Sequence, residues 1–176
     1  MQFERSSGIL LHPTSLPGPY GIGDIGPEAY HWIDFLAGAN CGLWQVLPLG
    51  PTGYGDSPYQ CFSAFAGNPY LVSPAALLAE GLIHANDLVD APQFSAEQVD
   101  YGAIIPWKLG LLDRAYTHFQ HTGGQEWHHA FEEFQAEEAL WLEDFALFMA
   151  IKESQGGKPW VQWPASLRDR NPQAIV

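Results

Sequence analysis

Positive charge is scarce in this chain. Its 176 residues hold 7 Lys and Arg against 20 Asp and Glu, a net charge of −13. Such a field repels nucleic acid and anionic membrane surfaces and gives no affinity for an anionic substrate, so an uncharged ligand is expected. Long apolar runs are missing as well. The amino-terminal MQFERSSGILLHP has only a four-residue apolar stretch from Gly8 to Leu11, too short for the core of a secretory signal. Nowhere do about 18 apolar residues follow one another, the length a membrane span requires. We therefore expect a soluble, cytoplasmic protein with no membrane and no nucleic-acid partner. Cysteine is limited to Cys41 and Cys61; lacking C-x-x-C spacing they form no metal framework, and in a reducing compartment they stay thiols. A Gly-x-Ser-x-Gly elbow and a Ser–His–Asp order are also absent.

What the chain has in quantity is aromatic, glycine-rich and proline-rich sequence behind one apolar run. Leu43, Trp44, Val46, Leu47 and Leu49 read as a parallel strand buried on both faces, ended by Pro48 and Gly50-Pro51. Between Gly53 and Tyr70 follow Tyr54, Tyr59, Phe62, Phe65 and Tyr70, interleaved with Asp56, Ser57, Gln60, Ser63 and Asn68. Flat rings suit the C–H face of a sugar, and short polar groups suit its hydroxyls. A phosphate site would need Lys, Arg or a nest of N–H groups, and this loop holds no basic residue. Composition alone leaves two readings open: a polyol site, or a long loop packed on its own rings.

Around this segment the pattern is strand, helix, strand. Gly8–Leu11 is a short first strand; Pro27 and Glu28 start a helix with Ala29, Trp32, Ile33 and Leu36 at helical spacing, ending over Gly38–Asn40. That order predicts a βαβ unit of a parallel sheet. Gly21, Gly23 and Gly26 match G-x-G-x-x-G, yet about ten residues with three prolines separate them from the first strand, and the second strand ends without the acid that would hold a ribose. A dinucleotide site is rejected; the glycines are read as allowing a tight path over the sheet end. Beyond Tyr70, Ser73-Pro74 should cap a short helix stopped by Gly81. Helices then dominate: one from near Ile104–Trp107 with Leu109, Leu112, Tyr116 and Phe119 on its apolar face, then Glu126–Phe134 and Glu137–Glu153, broken near Gln135, with a stripe of Trp141, Leu142, Phe145, Phe148 and Met149. Gly156-Gly157 stops the last of these, and Pro159-Trp160 with Trp163-Pro164 marks a turn region.

Other chemistry is thinly represented. His118-x-x-His121 and His128-His129 lack a completing carboxylate, and adjacent histidines diverge by about 100° on a helix, so surface histidines are expected rather than a metal site. Asp24 and Asp56 each follow a strand and could form a glycosidase pair, although spacing alone does not bring them together.

The segments HPTSLPGPYGIGDIG, WQVLPLGPTGYGDSPYQ, FSAFAGNPYL, WLEDFALFMAIK and PWVQWP resemble the amino-terminal part of the 4-alpha-glucanotransferases, the amylomaltase or disproportionating-enzyme family (glycoside hydrolase family 77). The resemblance runs from about Gly8 to Arg168. It implies an α/β chain: residues 1–72 as the first two strands of a (β/α)8 TIM barrel with a substrate-binding rim loop, and 73–176 as a mainly helical inserted subdomain. It implies retaining transfer of α-1,4-glucan segments between maltooligosaccharides through a glycosyl-enzyme ester, with no cofactor. Tyr59 would be the platform under the donor glucose, Ser57 and Gln60 would line neighbouring subsites, and Asp56 would orient the loop. Tyr54 and Tyr101 would offer a further stacking surface, or else ordinary packing. Cys61 is expected to be a small, partly buried thiol.

The family's nucleophilic Asp, acid/base Glu and stabilising Asp are implied to lie beyond Val176, so no catalytic residue is expected within the chain. It reads as the first piece of a larger enzyme, a barrel of eight units needing about 250 residues. The isolated chain should be inactive and poorly stable, with exposed strand edges and the missing carboxy-terminal part as its natural partner. The alternative is a stand-alone glucan-binding module.

Overall fold

The computed structural model describes residues 5–175. The chain divides into two compact units, Met1–Trp127 and His128–Val176, the division falling within a helix. The first unit contains a pair of parallel strands, β1 (Gly8–Leu10) and β2 (Leu43–Gln45), in register Gly8↔Leu43, Ile9↔Trp44 and Leu10↔Gln45. Flanking backbone bonds extend the ladder at both ends, Gly42 N–H to Ser7 O and Leu11 N–H to Gln45 O, each 3.0 Å. The Trp44 indole donates to Leu11 O at 2.7 Å. A Cβ at Gly8 would fall 2.8 Å from the Leu43 Cβ, so the glycine is what lets the two strands approach at their start.

β2 is shorter than the apolar run predicts. Pairing ends at Gln45, ahead of Pro48, which has no N–H to give a ladder. Nor are the strands buried on both faces: Leu10 is 55% and Leu43 50% exposed. The apolar pattern is present, but nothing in this unit covers it.

Between the strands lies α1 (Pro27–Gly38), starting at Pro27 with Glu28 in its first turn as the sequence indicates. Asn40 takes a left-handed φ of 54° immediately after the helix, turning the chain back toward β2. Ala29 and Leu36 are buried, whereas Ile33, on the predicted apolar face, is 48% exposed. The short helix α2 (Pro74–Ala79) follows, with Gly81 at φ 72° beyond its end.

The core of this unit is Leu77, Ile83, Leu111 and Ala115, surrounded by Leu82, Leu88, Trp107 and Leu112. Its centre is α3 (Tyr101–Thr122), which begins earlier than the sequence suggests: Asp100 caps it by accepting the Ala103 N–H at 3.2 Å, so Pro106 sits inside the helix. The buried stripe also differs from the expected one. Ile104, Lys108, Leu111 and Ala115 face the core; of the expected face Leu112 packs against it, while Leu109 and Tyr116 are 44% and 49% exposed. Lys108 occupies a place in the spacing that an apolar residue would normally fill, which is why the neighbouring face reads as the core.

Helix α4 (Gln125–Glu137) buries none of its described residues. In the second unit the break before α5 (Leu142–Ser154) lies at Glu138–Trp141 rather than Gln135, with the Trp141 indole donating to the Glu138 carboxylate across the turn. The stripe of Trp141, Leu142, Phe145, Phe148 and Met149 is half-buried, and Ile151, outside that stripe, is the buried residue of α5. Gly156 and Gly157, at φ 65° and 74°, end it, and a short helix α6 (Ala165–Arg168) follows. Trp163 is buried against Phe148, ring centres 5.5 Å apart, and its indole donates to Lys158 O at 3.0 Å. No helix among the described residues is long and apolar enough to cross a membrane.

Candidate functional site

The carboxyl end of β2 opens into a loop held by its own backbone. Thr52 and Cys61 form an isolated antiparallel bridge, and Phe62 N–H reaches Pro51 O at 3.3 Å, so residues 52–61 leave and return at one point. Inside this closed excursion the chain turns on two successive left-handed residues, Gly55 at φ 67° and Asp56 at φ 54°. The two limbs touch: a Cβ on Gly53 would lie 2.4 Å from the Gln60 carbonyl oxygen. Ser57 stabilises the far side, its Oγ accepting the Tyr59 N–H at 3.3 Å and its carbonyl the Gln60 N–H at 3.1 Å.

The loop's return is anchored at Asn68, a buried residue whose side chain accepts the Tyr70 N–H at 2.9 Å while its own N–H bonds Leu49 O at 2.8 Å. Ser63 Oγ accepts from both Phe65 and Ala66 N–H. On the opposite side His12, just past β1, meets Pro48 O at 3.4 Å and Thr14 Oγ1 at 2.7 Å through its two ring nitrogens. The ends of both strands are thereby tied beneath the loop. A cavity of about 440 Å³ lies against its outer limb, lined by Leu49, Gly50, Cys61, Ser63, Phe65 and Gly67 among others.

These bonds decide where the predicted residues stand. Tyr59 is 70% exposed on the returning limb, with Gln60 exposed beside it. Ser57 and Asp56 are half-buried behind them. Asp56 lies near Tyr70, whose phenol is raised above its ordinary value first by burial and then by the Asp56 negative charge. The Tyr54 side chain lies outside the described residues. Tyr101 is half-buried at the first turn of α3, on a separate element from the loop. Cys61 is exposed, contrary to the expectation of a partly buried thiol, because its place in the bridge turns it toward the neighbouring cavity.

Asp24 does not join Asp56. Its carboxylate faces Lys108 Nζ at 3.8 Å, with the lysine wholly buried and the aspartate side chain 14% exposed. Burial raises the Asp24 carboxyl above its usual range, and Lys108 draws it partly back. Sequence reading missed Lys108; the available signal was its position four residues after Ile104 and three before Leu111, on one helical face. The three glycines ahead of α1 are close-packing positions: a Cβ at Gly23 would meet Pro13 O at 2.1 Å and one at Gly21 the Phe94 ring at 2.4 Å. Among the described residues no group of three or more His, Cys, Asp or Glu side chains is placed to hold a metal ion. His118 instead meets the His84 ring edge-on, centres 4.3 Å apart.

The arrangement can present one ring and adjacent amide and hydroxyl groups to an uncharged ligand, on a loop that does not depend on that ligand for its shape. The family profile described as 4-alpha-glucanotransferase, glycoside hydrolase family 77, matches residues 11–176. A 4-alpha-glucanotransferase of Thermus thermophilus is 51% identical over 99% of this chain, and one of Synechocystis is 47% identical over 98%; in each case the match covers 34% of the relative. The structure of an amylomaltase from Streptococcus agalactiae, solved with acarbose, superposes with a TM-score of 0.90 at 40% identity, over 98% of this chain and 34% of that one. The chain spans about a third of the length of the relatives it matches. With two thirds of those relatives unmatched but nearly all of this chain aligned, it belongs to the 4-alpha-glucanotransferase family.

Proposed function

We propose that this chain supplies part of the donor-binding surface of an enzyme that transfers α-1,4-glucan segments between maltooligosaccharides, with retention through a glycosyl-enzyme ester. The observation that carries the reading is the exposed Tyr59 ring on a self-supporting loop, in a chain 51% identical to a 4-alpha-glucanotransferase. Tyr59 is the platform under the donor glucose, Ser57 and Gln60 line adjacent subsites, and Asp56 orients the loop. Tyr54 and Tyr101 form a further stacking surface. Acarbose, bound by the Streptococcus agalactiae relative, is a saccharide analogue of the kind such a loop would take.

In this reading β1 and β2 are the first strands of a (β/α)8 barrel, residues 73–176 are a mainly helical insertion, and the enzyme works in the cytoplasm. Retention requires two carboxyl groups about 5 Å apart. The residues in those roles are assigned to later strands, outside these 176 residues, so the isolated chain is inactive. Purified chain incubated with maltotriose should release no glucose; measurable release would overturn the assignment. Because the rim loop is closed by its own bonds, a second reading is a glucan-binding module without chemistry. Calorimetry with maltoheptaose separates the two: heat of binding without turnover favours the module.

A further inference from the structure

Lys108 is the one wholly buried cation among the described residues, and nothing hydrogen-bonds its ammonium. Among the described residues its one charged neighbour is Asp24 at 3.8 Å, an ion pair too long for a hydrogen bond. Desolvating two charges costs several kcal/mol each, and a pair whose ammonium makes no hydrogen bond, with only the Ser73 side chain supporting the carboxylate, does not recover that. Burial is accordingly the largest influence on both groups, lowering Lys108 to about 8 and raising Asp24. A hydrophobic side chain at 108 would complete the stripe of Ile104, Leu111 and Ala115 without that cost. The charge needs another reason.

The geometry around it supplies one. Asp24 sits in the loop that leaves β1 and enters α1, and this loop lies against α3 through a small set of fitted contacts. Tyr20 stacks on Trp107 with ring centres 5.6 Å apart, and Phe94, which fills the space at Gly21, meets the same indole at 5.4 Å. Two backbone bonds fix the loop itself, Gly23 N–H to Thr14 O at 3.0 Å and Ile25 N–H to Leu71 O at 2.9 Å. Stacked rings tolerate sliding, whereas a buried charge has one low-energy position relative to its counter-charge.

We propose that Lys108 is a positioning residue: through Asp24 it fixes the register of loop 17–26 on α3, coupling the loop at the end of β1 to the helix that carries Tyr101. Its bearing on glucan binding rests on the function proposed above; its geometry does not. The pair orients and does not stabilise.

The test removes both charges at once, in Lys108→Met/Asp24→Asn, and reads two quantities from the 176-residue chain. The urea midpoint should be unchanged or higher. Amide exchange at Gly23 and Ile25 should quicken by about tenfold, the scale of losing one charged contact, while amides in the carboxyl-terminal turns of α3 keep their protection. Unchanged exchange at Gly23 and Ile25 would overturn the proposal, and so would a double variant that fails to fold or melts well below the parent, since the pair would then be structural. Neither reading uses a saccharide, so failure of the transferase assignment leaves this result standing, and the reverse holds.

Discussion

Gly53 and Gln60 face each other across the neck of the rim loop so closely that a methyl on the first would sit 2.4 Å from the carbonyl oxygen of the second. Gly53→Ala must therefore spread the limbs or break the Thr52–Cys61 bridge. A cost of about 1–3 kcal/mol is expected. Exchange of the Gln60 and Phe62 amides, which bond Ser57 O and Pro51 O, should rise first. Unaltered protection there would mean the neck is looser than it looks.

Tyr59 is the opposite case. With 70% of the residue exposed, its ring contributes little to folding, so Tyr59→Ala should move the unfolding free energy by no more than about 0.5 kcal/mol. In a full-length enzyme carrying this segment the same change should weaken maltoheptaose binding by about tenfold, near 1.4 kcal/mol. Comparable losses of stability and affinity would show a ring used for packing rather than for recognition.

Leu111 and Leu109 test which face of α3 is the core. Leu111 is fully buried beside Leu77, Ile83 and Ala115, and Leu109 is 44% exposed. Leu111→Ala should cost about 2–5 kcal/mol. Leu109→Ala should cost less than about 1 kcal/mol, read from urea midpoints at constant slope.

The contrast between those leucines also marks where sequence reading succeeds and fails. The α1 start at Pro27 and the glycine stops at Gly81 and Gly156-Gly157 were legible because each is set by local chemistry, and the parallel pairing of Gly8–Leu10 with Leu43–Gln45 because a strand, helix, strand order imposes it. The register of α3 was not. Its pattern contains Lys108 on the inner face, and a charged residue in the apolar period makes the adjacent face look like the core. The start of α3 was missed because Pro106 is an apparent first-turn signal, while the actual cap, Asp100, stands six residues earlier. At the site, ring and amide composition announced the loop. Its closure by Thr52 and Cys61 depends on a backbone pairing that no side-chain pattern encodes.

Exposed strand faces give a prediction about association. Leu10, Leu43 and Ile33 are each about half exposed along one βαβ segment, and short strands with unpaired outer edges add to one another readily. Light scattering of the purified chain should show mass rising with concentration, and the melt should be broad. A sharp, concentration-independent monomeric transition would contradict this.

Lys108 makes alkaline conditions stabilising, the reverse of what an ordinary surface lysine would do. Its ammonium is lowered from 10.5 to about 8, burial outweighing the attraction of Asp24. Between those values the native chain has released the proton while the unfolded chain still holds it, so the unfolded state binds more protons and stability climbs with pH. From about pH 8 to about pH 9.5 the gain is on the order of 2 kcal/mol at 1.36 kcal/mol per pH unit. Tyr70, whose phenol is raised, acts in the other direction at still higher pH and sets the upper limit of the comparison. Urea midpoints at the two pH values should thus rise in the native sequence and stay flat, or fall, in Lys108→Met. Parallel behaviour of the two proteins would show that Lys108 reaches water, and with it the buried pair would lose its physical basis.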